Sequence, residues 1–152
     1  NGEQQVILNG ENVTAYIRKE EVGNMASATS VYPKVHEKLV ELQKELAKKS
    51  NVIMDGRDIG TCVLPDAQVK IYLTASVQTR AKRRYDELKE KGVSCNIEEI
   101  QKDIEDRDYR DMHREMSPLK QAEDAVLLDS SELNIDEVVL AIEKICKEKG
   151  IV

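Results

Sequence analysis

The sequence predicts an α/β protein with a parallel sheet, because short apolar runs alternate with long charged segments. Three runs bounded by polar or turn-forming residues have the length of buried strands: 51–54, 69–75 and 125–131. Highly charged segments with helical periodicity follow them: about 76–91, 96–115 and 134–149. Strands that alternate with helices pair in parallel through helical crossovers, which defines the α/β class.

The part of the chain before these runs predicts one strand and two helices. Residues 5–12 have the pattern of a short strand, and their Asn-Gly pair favours a tight turn. Residues 16–31 are helical in part, with small residues as contact positions. Pro33 suits the first position of a helix that ends near Lys49, because it is followed by leucine and valine at spacings of three and four.

Composition limits the class of protein. The 152 residues suffice for one domain, and a 3% aromatic content that is entirely Tyr predicts an aliphatic core. A net charge of −6 argues against a nucleic-acid or anionic-membrane surface, and no apolar run approaches the ~18 residues of a membrane span. Three widely spaced cysteines, an odd number, indicate buried reduced thiols in a cytoplasmic protein.

One face of the predicted helix at 96–115 changes from apolar to charged. Ile97, Ile100 and Ile104 mark its inward stripe, and the same spacing continues through Arg107, Asp111 and Arg114. A solvated helix end with an i,i+4 ion pair would give this pattern. Two arginines on a core-directed face also suit a polyanion, because guanidinium groups bind phosphate oxygens bidentately.

A second basic cluster comprises Arg80, Lys82, Arg83 and Arg84. Ordinary surface charge would explain it, since acids follow at once. Together with Arg57 at a predicted strand end and the arginines of the later helix, however, the cluster favours a phosphate-handling pocket.

The segment after the first predicted strand carries Asp55, Gly56, Arg57 and Asp58. Ligands of open parallel sheets gather at the carboxyl ends of strands, and P-loop proteins place a carboxylate there near Mg²⁺. The spacing does not fit a calcium loop, and neither histidine has a partner at metal-ligand spacing.

Several stretches of the sequence, taken in their order along the chain, resemble a known family. They are IRKEEVGNMASATSVYPKV (17–35), VIMDGRDIGTCVLPDAQVKIYLTAS (52–76), RAKRRYDELKEKG (80–92) and DRDYRDMHREMSPL (106–119). Together they resemble bacterial cytidylate kinases, which are P-loop nucleoside monophosphate kinases that transfer a phosphoryl group from ATP to CMP or dCMP. The resemblance implies a three-layer P-loop fold with a parallel sheet.

The resemblance also implies roles for individual residues. Those matching the CMP-binding positions are Ser27, His36, Arg57, Asp58, Arg107, Asp111 and Arg114. Arg57 and Arg114 would also be catalytic, and Asp55 would lie near the Mg²⁺ that accompanies ATP. Arg80, Arg83 and Arg84 would begin the lid over ATP. His36 departs from the family, which commonly has arginine there.

A larger departure concerns the ATP phosphates. No G-x-x-x-x-G-K-[ST] motif occurs here, so we expect roughly the C-terminal two-thirds of a kinase, lacking the first strand, P-loop and first helix. The expected parts are 1–50, the rest of the CMP-binding insertion; 51–79, core strands; 80–115, lid and flanking helices; and 116–152, the last strand and helix. Such a chain would be inactive alone and would need the missing segment, or another chain, to complete its sheet.

Two other functions fit the same residues. The complete protein could phosphorylate another monophosphate, UMP or AMP, instead of CMP. The chain could also be a non-catalytic remnant or interaction module on the same fold.

Overall fold

The computed structural model describes residues 5–17, 19–29 and 32–151, without the side chains of Glu20, Asn24 and Ser27. The chain divides into two compact units, Asn1–Leu46 and Ala47–Val152.

The first unit contains a small hairpin and two helices. Strands β1 (Ile7–Leu8) and β2 (Glu11–Asn12) pair antiparallel, so the single strand predicted over 5–12 is in fact two strands. The turn between them is Asn9-Gly10, whose φ angles of 51° and 87° suit the positive-φ turn that an Asn-Gly pair favours. Helices α1 (Glu20–Thr29) and α2 (Pro33–Ala47) follow, as the sequence predicts.

The second unit contains a two-stranded parallel sheet and three helices. Its elements are a π-helical turn at Ile59–Val63, β3 (Ile71–Thr74), α3 (Val77–Glu90), α4 (Ile97–His113), β4 (Val126–Asp129) and α5 (Ile135–Glu148). Strands β3 and β4 pair in register from Ile71 with Val126 to Thr74 with Asp129. Helices α3 and α4 lie between them in the chain and pack against each other. The parallel pairing predicted for these two strands is confirmed.

Side-chain caps begin all three helices of this unit. The Ser76 hydroxyl accepts a hydrogen bond from the Thr79 amide, and Asn96 accepts from the amides of Glu98 and Glu99. Asn134 and Glu137 form a reciprocal capping box at the start of α5. These bonds satisfy backbone amides that have no partner within the helix, and so stabilise the helix starts.

The strand predicted at 51–54 is wrong. This segment pairs with no strand, and in the part of the chain that the structure describes its residues make no backbone hydrogen bond. Ile53 is fully exposed, at 103%. An apolar run forms a strand only where a neighbouring strand supplies ladder partners, and among the described residues β3 pairs with β4 alone.

The aliphatic core is much smaller than the composition predicts. Among the described residues, Val63, Ala75 and Ala81 are the buried apolar ones, whereas Leu73 and Leu127 on the sheet remain more than half exposed. All three cysteines are free and half-buried rather than buried. Among the described helices, none combines the length and the apolar character that a membrane crossing requires.

Candidate active site

The centre of the candidate site is an ion pair between the loop at 55–58 and the end of α4. Arg57 Nε lies 2.7 Å from Asp111 Oδ2 and donates a hydrogen bond to it. The Asp111 side chain is only 12% exposed, whereas that of Arg57 is 42% exposed. The structure therefore joins two predicted site residues that are 54 positions apart in the sequence.

The loop that follows α4 contacts the end of that helix and the π-helical turn. The Leu119 amide donates to the Asp111 carbonyl at 2.8 Å, and Arg114 Nε donates to the Ser117 carbonyl at 2.8 Å. Ser117 has a positive φ of 47°, and its hydroxyl lies 3.2 Å from the Cys62 thiol in the π-helical turn. Arg114 is thus held by a loop that contacts the π-helical turn.

Arg107 does not continue the inward stripe of α4, contrary to the prediction. Its side chain is 58% exposed, and its Nε lies 3.9 Å from Asp111 Oδ2. Asp108, one position further, has a side chain that is 20% exposed. Both residues lie at helical spacing from Ile104. Because α4 packs against α3, Asp108 is the one that faces inward.

The Arg80 guanidinium is engaged inside the unit. Its Nη1 and Nη2 donate to the two carboxylate oxygens of Asp108 at 3.0 and 2.6 Å, and its Nε donates to the Ala75 carbonyl at 3.0 Å. Ala75 directly follows β3, so Arg80 connects the carboxyl end of that strand to α4.

Arg83 and Arg84, on the same helix, have different surroundings. Arg83 donates to the carbonyls of Ser130 and Leu133 at 2.5 and 3.1 Å, just after β4. Arg84 donates to Glu87 at 2.9 Å in an exposed i,i+3 pair. The hydrogen bonds from Lys91 and Arg84 hold the pKa of Glu87 below its ordinary value.

The carboxyl ends of β3 and β4 are joined by short polar side chains. The buried Ser130 hydroxyl donates to the Thr74 carbonyl at 3.0 Å, and the Ser131 hydroxyl accepts from the Ser76 amide at 2.8 Å. Asp129 Oδ1 accepts from the hydroxyl and the amide of Ser131 at 2.6 and 2.9 Å. These bonds to its charged form lower the pKa of Asp129.

Two further predicted site residues, Asp55 and Asp58, lie in the loop that carries Arg57. Asp55 is exposed at the start of the loop, and the Asp58 carbonyl accepts the amides that open the π-helical turn. Across the described residues, no cluster of three metal-ligating side chains occurs. Mg²⁺ bound with a nucleotide takes most of its ligands from phosphate and water, so a single carboxylate such as Asp55 fits that chemistry.

Two predicted residues lie in the first unit. His36 is half-buried on α2, where its amide donates to the Tyr32 carbonyl. The side chain of Ser27 lies outside the described part of the chain. Their nucleotide contacts stay predictions.

The carboxyl ends of β3 and β4 carry two arginines and an aspartate, in an α/β protein with a parallel sheet. The sequence model of the cytidylate kinase family matches residues 1–148. Curated cytidylate kinases from Lactobacillus gasseri and Lactobacillus johnsonii are each 54% identical over 148 residues, which is 97% of this chain. One from Streptococcus pneumoniae is 54% identical over 142 residues.

The chain belongs to the cytidylate kinase family. It spans 64% of the length of these curated relatives. The family implies a P-loop NTPase fold, and the small parallel sheet with its helices is compatible with an incomplete form of that fold.

Two residues of the site were missed by the sequence reasoning. Asp108 shares the inward face of α4 with Ile104, and that spacing could have revealed it. Ser117 follows the helix in an irregular loop, where no periodicity indicates a contact with Cys62.

The bonds at the end of β4 predict a pKa change. Ser131→Ala removes the hydroxyl that favours the Asp129 carboxylate, so the pKa of Asp129 should rise toward its ordinary value. A carboxyl-carbon NMR titration measures this directly. The pKa of Asp124, which is lowered by its bond from Lys70, should stay unchanged and is the internal control. An unchanged Asp129 titration would show that the hydroxyl does not set its pKa.

Proposed function

We propose that the full-length protein transfers the terminal phosphoryl group of ATP to CMP or dCMP, giving CDP or dCDP. The observation that carries the proposal is the Arg57–Asp111 ion pair in a chain of the cytidylate kinase family. Such a transfer asks the protein mainly to position two anions and neutralise their charge.

Arg57 is suited to bind the phosphate of CMP. A guanidinium group has five N–H donors, so the single bond from Nε to Asp111 does not saturate it. The bond instead limits how the side chain can rotate, which reduces the entropy lost when phosphate binds. Arg114, held at the end of α4, would bind the same phosphate and stabilise the charge that develops during transfer.

Asp111 and Arg107 are suited to the sugar. Asp111 carries two carboxylate oxygens and can accept from a sugar hydroxyl as well as from Arg57. Arg107, largely exposed and 3.9 Å from Asp111, is close enough to share that hydroxyl. Ser27, His36 and Asp58 would bind the nucleoside, with Asp58 selecting cytosine and His36 replacing the arginine common in the family.

The ATP side would use Asp55 together with α3. Asp55 would hold Mg²⁺ indirectly, and the ion, when bound, neutralises charge on the ATP phosphates. Residues 80–115 would form the lid and its flanking helices. The other parts would be those expected from the sequence, 1–50, 51–79 and 116–152. Among the lid arginines, Arg84 has only a local, exposed partner and is the best placed to turn toward ATP.

Additional polypeptide would complete the sheet. Leu73 and Leu127 are exposed on a sheet that has two strands among the described residues. Apolar side chains in such positions normally pack against further layers. The sequence also lacks a P-loop motif, so the 152 residues alone would be inactive. A cytoplasmic location stays a prediction.

Two competing functions remain testable. A kinase for UMP or AMP would use the same phosphate arginines with a different base site. A non-catalytic remnant would keep the fold without turnover.

The activity of the full-length protein distinguishes them. ADP formation should require both ATP and CMP or dCMP, and UMP and AMP should support much less. Arg57→Ala and Arg114→Ala should each lower kcat/KM for CMP by about 10²-fold or more, because each removes a charged contact to phosphate. Asp111→Ala should raise KM for CMP more than KM for ATP.

Lys144→Ala is the matched control. It removes a positive charge from an exposed pair with Glu148 on α5 and should leave these constants unchanged. Absence of turnover with every monophosphate would refute the kinase proposal. Equal turnover with UMP or AMP would refute the specificity, and full activity of Arg57→Ala would refute its assignment.

The sheet proposal predicts the behaviour of the 152-residue chain alone. Its exposed apolar sheet surface should make it self-associate or unfold without a sharp transition. Analytical ultracentrifugation and thermal unfolding followed by circular dichroism measure both properties. A monodisperse monomer with one cooperative transition would contradict the proposal.

A further inference from the structure

We infer that Asp108 is a positioning residue. Its contact with Arg80 holds the end of α4 in the position where Asp111 binds Arg57. The inference rests on the proposed function for its kinetic consequence. It gives Arg80 a role in the CMP side of the site, whereas the resemblance to the family implies a role in the ATP lid.

Arg80 meets Asp108 in a two-pronged contact, Nη1 to Oδ1 at 3.0 Å and Nη2 to Oδ2 at 2.6 Å. Bidentate contacts fix orientation as well as distance. The side chains are 34% and 20% exposed, so water screens this pair less than the exposed pairs of α3.

Arg80 also makes a third hydrogen bond, to the residue that follows β3. Its Nε donates to the carbonyl of Ala75, a residue that is 8% exposed and directly follows β3. Arg80 therefore ties α4 to the sheet itself and not only to α3. An arginine with three of its five donors engaged in this way is poorly suited to bind ATP phosphates as well.

Asp108 and Asp111 lie on the same side of α4, three residues and about one helical turn apart. One carboxylate meets Arg80 on α3 and the other meets Arg57 in the loop at 55–58. Freeing the first would let the helix end shift, and a shift of about 1 Å at such a site can be costly.

The test uses Asp108→Asn in the full-length protein, with Asp86→Asn as the matched control. Asp86 forms an exposed carboxylate pair with Lys82 on α3, so the control makes the same chemical change away from α4. Asp108→Asn should raise KM for CMP about tenfold and leave KM for ATP within about twofold. Arg80→Lys, which keeps the charge but loses the fork, should have the same effect, and Asp108→Glu should restore part of the affinity.

A second readout needs no nucleotide. In the wild-type protein the Arg57 Nε–H, bonded to Asp111, should give a protected NMR signal, and Asp108→Asn should reduce that protection while Asp86→Asn does not. This measurement tests the positioning even if the wild-type protein proves to have no kinase activity.

Three results would overturn the inference. The first is an Arg57 signal that is unchanged in Asp108→Asn. The second is a larger effect on KM for ATP than on KM for CMP, or equal effects on both. The third is unfolding of Asp108→Asn, Asp108→Glu and Arg80→Lys alike, which would assign the pair to global stability.

Discussion

The carboxylate of Asp111 is the point on which the arrangement of the site depends. This carboxylate accepts a hydrogen bond from Arg57, 54 residues away in the sequence. The backbone carbonyl of Asp111 accepts a hydrogen bond from the Leu119 amide. A buried carboxylate needs a charged partner such as Arg57, because desolvation of an unpaired charge is costly. The Arg57 bond connects the loop at 55–58 to α4, and the Leu119 bond connects the segment after α4 to the same residue. Asp111 therefore holds both segments to the end of this helix.

The helices of the second unit and strands β3 and β4 could be predicted from the sequence. Their signals are local: periodic apolar residues, and the capping side chains Ser76, Asn96 and Asn134. The strand predicted at 51–54 failed because a strand needs a partner, and an apolar run alone does not supply one. The core was overestimated for a related reason, since composition counts apolar residues without showing whether another layer covers them.

The sequence predicted which residues belong to the candidate site better than it predicted the contacts between them. The pattern identified Arg57 and Asp111 as candidates, and the structure joins them directly. It could not distinguish Arg107 from Asp108 on the inward face of α4, because both lie at helical spacing from Ile104. Nor could charge alone show that Arg80 is engaged by Asp108, since that contact depends on how α3 and α4 pack. The sequence indicated which residues were candidates for the site, whereas the contacts between them depend on the fold.

The most direct measurement of the central claim is a double-mutant cycle in the full-length protein. Arg57→Ala, Asp111→Ala and the double variant are compared for CMP affinity by titration calorimetry. If the two residues act as one unit, the double variant should lose less affinity than the sum of the single losses, by about 1 kcal/mol or more. A cycle of Arg57→Ala with Asp86→Ala should be additive and serves as the control. Additive losses for Arg57 and Asp111 would contradict the account.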